Sequence, residues 1–154
     1  MQNYQRSLVL IKPDGVQRGL IGEIIQRFEN RGLQLIAMDL RIMTRQFAEE
    51  HYAAHKGKSF YEGLIKYIIS SPVIAMVWEG SNAISAIRQS IGATNPIEAD
   101  PGTIRHDLAI ITSRNLVHAS DSPETAAKEI DLWFDASDIY PWTRLHEDWY
   151  TGLN

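Results

Sequence analysis

Cysteine is absent from the 154-residue sequence. This absence excludes disulfide bonds, thiolate metal sites and cysteine nucleophiles, and it is typical of a cytoplasmic protein. Long apolar runs are absent as well. The run inside MQNYQRSLVLIKPDG spans only about five residues, too few for a signal-peptide core or a membrane span. We therefore expect a cytoplasmic protein with no membrane partner.

An excess of positive charge is also missing. The sequence has 15 Lys and Arg residues against 19 Asp and Glu residues, a net charge of −4, and no basic run of five or more residues. Nucleic acid is therefore not expected as the main ligand, and any phosphate site must be a local cluster of cations. The length and the 44% hydrophobic content predict a single domain over residues 1–154 with a substantial core.

Apolar periodicity predicts alternating strands and helices. This order is compatible with a helix-covered sheet, either parallel or of split β-α-β type, and periodicity does not choose between the two. Strands are expected at residues 7–11, 33–43, 73–78 and 108–112, and helices at residues 20–31, 45–54, 63–69 and 83–91. The one long loop is expected at residues 92–102.

His118 is expected in a loop between the last predicted strand and a clearly started helix. Pro123 suits the first position of that helix, and Asp121 and Glu124 have the spacing of a capping box. The apolar positions that follow at helical spacing are Ala127, Ile130 and Phe134. A histidine in such a loop is a candidate nucleophile, a candidate metal ligand or a bystander, and the local sequence does not decide.

Two patterns that often mark nucleotide or metal sites are incomplete. The stretch YAAHKGKS approaches the phosphate loop G-x-x-x-x-G-K-[ST], but Tyr52 replaces the first glycine and no strand precedes it. No G-x-G-x-x-G pattern occurs. His51 and His55 have the i, i+4 spacing of a helical metal site, but the sequence offers no third ligand nearby. We therefore expect no metal held by protein side chains alone.

Polar residues at the ends of predicted elements are the remaining candidates. Each has an ordinary structural explanation on its own, since lysine and arginine often lie on the surface and threonine and asparagine often occupy turns. Together they indicate an anion site near the strand ends. The candidates are Lys12, Arg88, Thr94, Arg105, Asn115 and His118.

Several stretches, in this order and spacing, resemble the nucleoside diphosphate kinase family over nearly the whole chain. They are IKPDGVQRGLIGEII, HY, SPVIAMVWEG, GATNP, PGTIR, RNLVHASDS and KEIDLWF. The resemblance implies an α+β fold, with a ferredoxin-like four-stranded antiparallel sheet covered by helices. It also implies a homo-oligomer, either a hexamer or a tetramer.

The resemblance further implies that His118 is a nucleophile. It would accept the γ-phosphoryl group of a nucleoside triphosphate such as ATP, become phosphohistidine, and pass the group to a nucleoside diphosphate in a ping-pong reaction. Glu129 would support the imidazole ring, although its position alone suits an ordinary exposed carboxylate on a helix. The alternative is a catalytically vestigial protein of the same fold that binds nucleotides or regulatory partners.

The remaining roles implied by the resemblance concern the nucleotide. Phosphoryl transfer depends mainly on positioning and charge stabilisation, and cations and hydroxyls supply both. Mg²⁺ is expected to arrive with the nucleotide phosphates, because no dense carboxylate cluster is present to build a protein cage. From its sequence context alone, Phe60 would be assigned to the core. The implied roles are phosphate binding by Lys12, Arg88, Arg105 and Thr94, sugar contact by Asn115 and Lys12, a hydrogen bond from Tyr52, and base contact by Phe60 and Leu64.

Two positions and the C-terminal tail depart from the family's pattern. Ala119 stands where glycine is common, and alanine disfavours a positive φ. His106 stands where glycine usually follows the arginine, and it either adds bulk near the phosphates or points to solvent. The tail after Ala136 matches less well, and its aromatic residues fit either a subunit interface or packing over the core. These residues are Tyr140, Trp142, Trp149 and Tyr150.

Overall fold

The computed structural model describes residues 3–146 and 148–152, and these residues form one sheet with helices on both faces. The four strands have the spatial order β2-β3-β1-β4, and every neighbouring pair is antiparallel. This decides between the two arrangements that periodicity left open and confirms the α+β, ferredoxin-like prediction. The strands are β1 (Tyr4–Ile11), β2 (Gln34–Arg41), β3 (Val73–Ser81) and β4 (Val117–Ala119).

The helices connect the strands and cover the sheet. Those before β3 are α1 (Pro13–Gln17), α2 (Ile21–Asn30), α3 (Arg45–His51) and α4 (Tyr61–Ile68). Those after it are α5 (Ala83–Ile91), α6 (Ile104–Leu108), α7 (Pro123–Trp133) and α8 (Asp148–Thr151). Short 3₁₀ turns lie at Ala53–His55, Pro96–Glu98, Thr112–Arg114 and Ala136–Asp138. No helix in the described ranges is long and apolar enough to cross a lipid bilayer.

The two faces of the sheet carry two separate apolar clusters. Side chains alternate along a strand, so Leu8 and Leu10 of β1 join the cluster that includes Trp133. Val9 and Ile11 join the cluster on the other face, which includes Trp78. Because β1 is an inner strand buried on both faces, the residues at its carboxyl end are held in fixed positions.

The predicted strand at residues 108–112 was wrong. Leu108 is the last residue of α6, a helix capped at its start by the Thr103 hydroxyl, which accepts a hydrogen bond from the His106 amide. The apolar residues that suggested a strand are solvent-exposed, with Ile110 at 75% and Ile111 at 55%. The fourth strand is instead β4, and His118 lies within it rather than in a loop.

The predicted start of α7 needs a smaller correction. Pro123 is the first residue of the helix, as expected, but the cap is Ser122, whose hydroxyl accepts from the Thr125 amide at 3.1 Å. Asp121 and Glu124 therefore do not form the predicted capping box. Of the expected apolar positions, Ile130 and Phe134 are buried, whereas Ala127 is exposed and its neighbour Ala126 is buried instead.

The C-terminal tail runs beside the edge strand β2. The Tyr140 amide donates to the Ile36 carbonyl at 2.8 Å, and the Trp142 indole donates to the Leu35 carbonyl at 3.0 Å. The Arg144 guanidinium donates to the carbonyls of the two residues just before β2, that of Gly32 at 3.0 Å and that of Leu33 at 2.5 Å. The tail thus packs over its own sheet. Its residues Glu147, Leu153 and Asn154 lie outside the described part of the chain.

Candidate active site

His118 lies in β4 opposite Leu10 of the central strand β1. Its Nε2 atom is hydrogen-bonded to a carboxylate oxygen of Glu129, which projects from α7. The His118 side chain is 26% exposed and the Glu129 side chain 12% exposed, so one edge of the ring reaches solvent while its support is covered. The contact leaves Nδ1 as the ring nitrogen available to an incoming ligand.

Glu129 stays ionised in this setting. Burial pushes its pKa upward, but the hydrogen bond and the charge interaction with His118 outweigh burial, and the net pKa is lowered. An ionised carboxylate at Nε2 requires a proton on that nitrogen and fixes the ring orientation. A histidine held in this way presents the Nδ1 lone pair, which is the arrangement that a nucleophile needs.

Two cations, the partly buried Lys12 and the buried Arg105, lie beside the histidine strand. Lys12 follows β1, and its Nζ donates to Oδ1 of Asn115 at 2.8 Å. Burial and the nearby charge of Arg105 lower the pKa of Lys12 to about 8, against a smaller opposing effect of Asp14. A cation whose charged form is destabilised in this way would gain stability from a bound anion. The surroundings of Lys12 therefore favour the binding of an anion such as phosphate.

Arg105 combines positive charge with a structural role. Its guanidinium donates to the carbonyls of Asn115 at 3.2 Å, Gly92 at 3.0 Å and Val117 at 2.7 Å, and the residue is only 4% exposed. Burial and the charge of Arg88 lower its pKa to about 10. Arg105 therefore braces the loop after α5 and the segment before His118 at the same time.

The other predicted polar residues connect to this cluster. Asn115 Nδ2 donates to the Thr94 carbonyl at 2.9 Å, so one side chain joins Lys12 to the loop after α5. Arg88 lies near the end of α5 and is exposed, as is Thr94. The structure thus brings Lys12, Arg105 and Asn115 into direct hydrogen-bonded contact, with Arg88 close enough to act on the charge of Arg105.

Strained backbone separates Asn115 from His118. Leu116 has φ +72°, and the Val117 amide donates to the Asn115 carbonyl at 2.8 Å. An i to i+2 hydrogen bond around a residue with this φ defines a γ-turn of the rare, strained form. Such a conformation costs about 1–3 kcal/mol and persists only where neighbouring groups enforce it.

A row of rings leads from His118 toward the surface. The centroid of the His51 ring lies 5.0 Å from that of His118 and 4.5 Å from that of Tyr52. The ring centroids of Tyr52 and His55 are 6.1 Å apart, and those of His55 and Phe60 are 5.5 Å apart. Phe60 is 52% exposed, which rules out the core assignment that its sequence context suggested. Leu64 is partly buried and packs on the core beside it.

Tyr52 is buried, and its hydroxyl has no hydrogen-bond partner among the described residues. Burial raises the pKa of Tyr52 well above its usual range, so the hydroxyl keeps its proton. Buried polar groups nearly always have partners, and an unpaired one near a site needs an explanation. A ligand oxygen would supply one.

His51 was expected, if anywhere, in a metal pair with His55, and the structure places it elsewhere. Ring nitrogens of His51 and His118 and a carboxylate oxygen of Glu129 lie within 4.8 Å of one another. However, the Trp133 indole donates to His51 Nδ1 at 3.1 Å, so Nε2 carries the hydrogen. Burial also lowers the pKa of His51 to about 3. His51 is therefore neutral with a hydrogen on Nε2, and neither ring nitrogen has a free lone pair for a metal ion.

The two departures have clear structural positions. Ala119 is paired with Val9 in β4 and has no positive φ, so alanine causes no strain there. A ring nitrogen of His106 is hydrogen-bonded to the Ala99 carbonyl at 2.9 Å, and the residue is exposed. Neither residue intrudes on the cluster around His118.

Comparison with known proteins gives consistent matches. The family model described as nucleoside diphosphate kinase matches residues 5–139. A nucleoside diphosphate kinase of Synechococcus sp. (strain WH7803) is 53% identical over 147 residues, which are 96% of this chain and 97% of the relative. One from Archaeoglobus fulgidus is 52% identical over 145 residues, which are 94% of this chain and 96% of the relative.

Solved structures agree. A nucleoside diphosphate kinase of Halobacterium salinarum in complex with CDP superposes with a TM-score of 0.92 at 43% identity, covering 95% of this chain and 97% of that one. A family protein from Babesia bovis gives a TM-score of 0.91 at 44% identity, covering 95% and 99%. The fold and these matches define a phosphotransferase. The chain belongs to the nucleoside diphosphate kinase family.

Proposed function

We propose that this phosphotransferase works through His118. Nδ1 attacks the γ-phosphorus of a nucleoside triphosphate, the new N–P bond forms as the bond to the leaving diphosphate oxygen breaks, and the nucleoside diphosphate departs. A second nucleoside diphosphate then binds, and its terminal oxygen takes the phosphoryl group from Nδ1. The observation that carries this proposal is the contact of Glu129 with Nε2, beside a cluster of cations.

The cations would stabilise the charge on the transferring group. Lys12 and Arg105 lie at the inner end of the cluster, while Arg88 and Thr94 are exposed and so accessible to the outer phosphates. Asn115 and Lys12 would contact the sugar. The unpaired hydroxyl of Tyr52 would donate to a phosphate oxygen.

The nucleobase would rest against Phe60, with Leu64 beside it. An exposed aromatic ring at the end of a row of rings that leads from His118 supports this placement. Stacking tolerates every base, since each base has a π-face. We therefore propose broad specificity, covering purine and pyrimidine nucleotides in ribo and deoxy forms.

A divalent metal is generic for kinases that use nucleotides, and we propose Mg²⁺ in that role. Mg²⁺ prefers oxygen ligands and usually keeps several waters. In the described ranges, one group of His, Asp or Glu side chains has suitable geometry for a metal, and it consists of His51, His118 and Glu129. Two imidazoles and a carboxylate that is hydrogen-bonded to His118 are a poor donor set for Mg²⁺. The site therefore suits a metal carried by the nucleotide, whose positive charge would offset that of the phosphates.

We also propose that the chain forms a homo-oligomer, a hexamer or a tetramer, in the cytoplasm where nucleotides are available. Large apolar side chains are exposed on and just after the edge strand β2, in the loop after α5 and just after α6, and such surfaces commonly pack against another subunit. They are Met38, Leu40, Ile42, Ile97, Ile110 and Ile111. Light scattering of the purified chain tests this, and a monomer mass would contradict it.

The test of the catalytic proposal is the covalent intermediate. Incubation with γ-labelled ATP should give one acid-labile, base-stable phosphate per chain, located on His118, and added GDP should receive it. His118→Ala should lose the phosphate and the turnover together while keeping nucleotide affinity. Stable label on Ser120 or Ser122 would overturn the assignment of His118. No transfer of label to GDP by the unsubstituted chain would favour the vestigial alternative.

A further inference from the structure

Asp14 lies outside the residues assigned above, and both of its carboxylate oxygens are engaged beside the site. One oxygen accepts a hydrogen bond from the Tyr67 hydroxyl. The other accepts from the Leu116 amide at 3.2 Å. Leu116 is the central residue of the strained γ-turn, so a side chain from α1 holds a distorted peptide 102 positions later in the chain.

Further contacts fix the γ-turn from the same side. The Lys12 amide donates to the Leu116 carbonyl at 2.8 Å, so both polar groups of the Leu116 backbone are engaged by the Lys12–Asp14 segment. A Cβ at Gly15 would lie 2.6 Å from Ile11 Cγ2 and 3.4 Å from the Leu116 carbonyl oxygen. Glycine at this position allows α1 to pack closely enough for Asp14 to reach the turn.

Tyr67 is itself held in place. The Arg114 guanidinium lies 4.0 Å from the centroid of the Tyr67 ring, and Arg114 comes just before the γ-turn. The result is a closed circuit of contacts, Arg114 to Tyr67 to Asp14 to Leu116. Only Val117 separates Leu116 from His118, and Asn115 directly precedes Leu116.

We propose that Asp14 is a positioning residue for phosphoryl transfer, because its carboxylate locks the γ-turn that sets the relative positions of Asn115 and His118. This inference rests on the proposed function of His118. Asp14 touches neither the nucleotide nor the reacting atoms, and it acts through the backbone of Leu116. Removing its acceptor oxygen would release the turn toward an unstrained conformation and move Asn115 away from Lys12.

The same carboxylate acts on the charge of Lys12. Asp14 opposes the lowering of the Lys12 pKa, which comes from burial and from Arg105 of α6. His51 of α3 is also coupled to Lys12, and it stays neutral. Loss of the Asp14 charge should therefore lower the pKa of Lys12 below about 8. A change that merely loosened the fold would have no reason to move this pKa in that direction.

The test uses Asp14→Ala, Asp14→Asn and Tyr67→Phe in the full chain. Asp107→Asn is the matched control, since the Asp107 carboxylate also accepts a main-chain amide, that of Gly102 at 3.0 Å. Rapid-quench measurements would follow phosphoenzyme formation at saturating ATP across the pH range. Thermal unfolding of each variant would report on the fold.

Asp14→Ala should slow phosphoenzyme formation at saturating ATP by about tenfold or more, because small misplacement of reacting groups is costly. Asp14→Asn should restore much of the rate at low pH, since its amide oxygen still accepts from the Leu116 amide. However, the rate of phosphoenzyme formation by Asp14→Asn should begin to fall at a lower pH than that of the unsubstituted chain. Tyr67→Phe should slow the step less than Asp14→Ala, and Asp107→Asn should behave like the unsubstituted chain.

Two results together would overturn the inference. Folded Asp14→Asn would match the unsubstituted chain both in rate and in the pH at which the rate declines, and Tyr67→Phe would show an unchanged rate. If Asp14→Ala does not fold, those two variants still decide. Absence of phosphohistidine in the unsubstituted chain would overturn the proposed function itself, and the inference with it. The two failures are therefore distinguishable.

Discussion

Lys12 Nζ donates a hydrogen bond of 2.8 Å to Oδ1 of Asn115, a residue 103 positions later in the chain. The pair joins the carboxyl end of the central strand to the segment that leads into β4. Because burial already disfavours the ammonium ion, its charge depends on this amide, and a ligand that bound beside it would stabilise the charge further.

Activity should therefore fall as the pH rises through about 8, where Lys12 loses its proton in the free enzyme. The measurement is kcat/KM against pH, which reports groups of the free enzyme. Bound phosphates should hold the proton more tightly, so kcat should decline at higher pH than kcat/KM. Lys12→Arg, whatever its absolute rate, should lose this alkaline decline, and its persistence would show that another group titrates.

Stability should respond to the same group in the opposite sense. The folded-state pKa of Lys12 lies below its ordinary value of 10.5. Between about pH 8 and pH 10.5 the unfolded chain binds more protons than the folded chain, so this contribution to the free energy of unfolding rises with pH. Urea unfolding of the unsubstituted chain and of Lys12→Met across this range would isolate it, because the variant should lack that rise.

Glu129→Gln should lower kcat by about tenfold or more with little change in KM, because the amide no longer demands a proton on His118 Nε2. Single-turnover phosphorylation by ATP is the measurement. Glu124→Gln is the matched control, since Glu124 is exposed in the first turn of the same helix. Equal rates in the two variants would contradict a supporting role for Glu129.

Arg88→Ala and Arg105→Ala should each lower kcat/KM by about tenfold or more, because each would remove a charge-assisted hydrogen bond to a nucleotide phosphate, worth about 1.5–3 kcal/mol. Their stabilities should differ. Arg105→Ala removes a buried hydrogen-bond donor from three main-chain carbonyls, whereas Arg88 is exposed. Thermal unfolding should show a clearly lower melting temperature for Arg105→Ala but not for Arg88→Ala. Equal melting temperatures would contradict the bracing role of Arg105.

The kcat/KM values for natural nucleoside diphosphates against phosphorylated enzyme should differ by less than about 10⁴-fold, with purines modestly favoured by their larger stacking area. Loss of the sugar 3′-hydroxyl should reduce kcat/KM more than a change of base, since Lys12 and Asn115 would bond it. Phe60→Ala should weaken the binding of every nucleotide, and of purine nucleotides somewhat more, without loss of stability, because Phe60 is half exposed. A larger spread would reveal a group that reads the base edges.

Sequence reasoning located most elements because their signals are local. Helix 83–91 was predicted to the residue, and the strand at 73–78 was found with a longer end. The strand at 108–112 failed because Ile110 and Ile111 are apolar but exposed, and a periodicity argument assumes that apolar residues face the core. The three-residue strand that contains His118 was too short to show a period.

The network behind the site could not be read from the sequence. Asp14 and Tyr67 meet across 53 positions, and Tyr67 and Asp14 both look like ordinary residues of a helix and a turn. The Trp133 indole reaches His51 across 82 positions. The stretches KPDG and HY marked where these residues lie, but only the packing of α1, α3 and α7 against the sheet shows what they contact.

The tail beside β2 has a consequence for self-association. An edge strand exposes unpaired amides and carbonyls that can recruit a strand from another molecule. The tail occupies carbonyls at Leu35 and Ile36, whereas the later part of β2, with Met38 and Leu40 exposed, is left open. Proteolytic loss of the tail would lengthen the open edge, so the tail limits uncontrolled extension of the sheet.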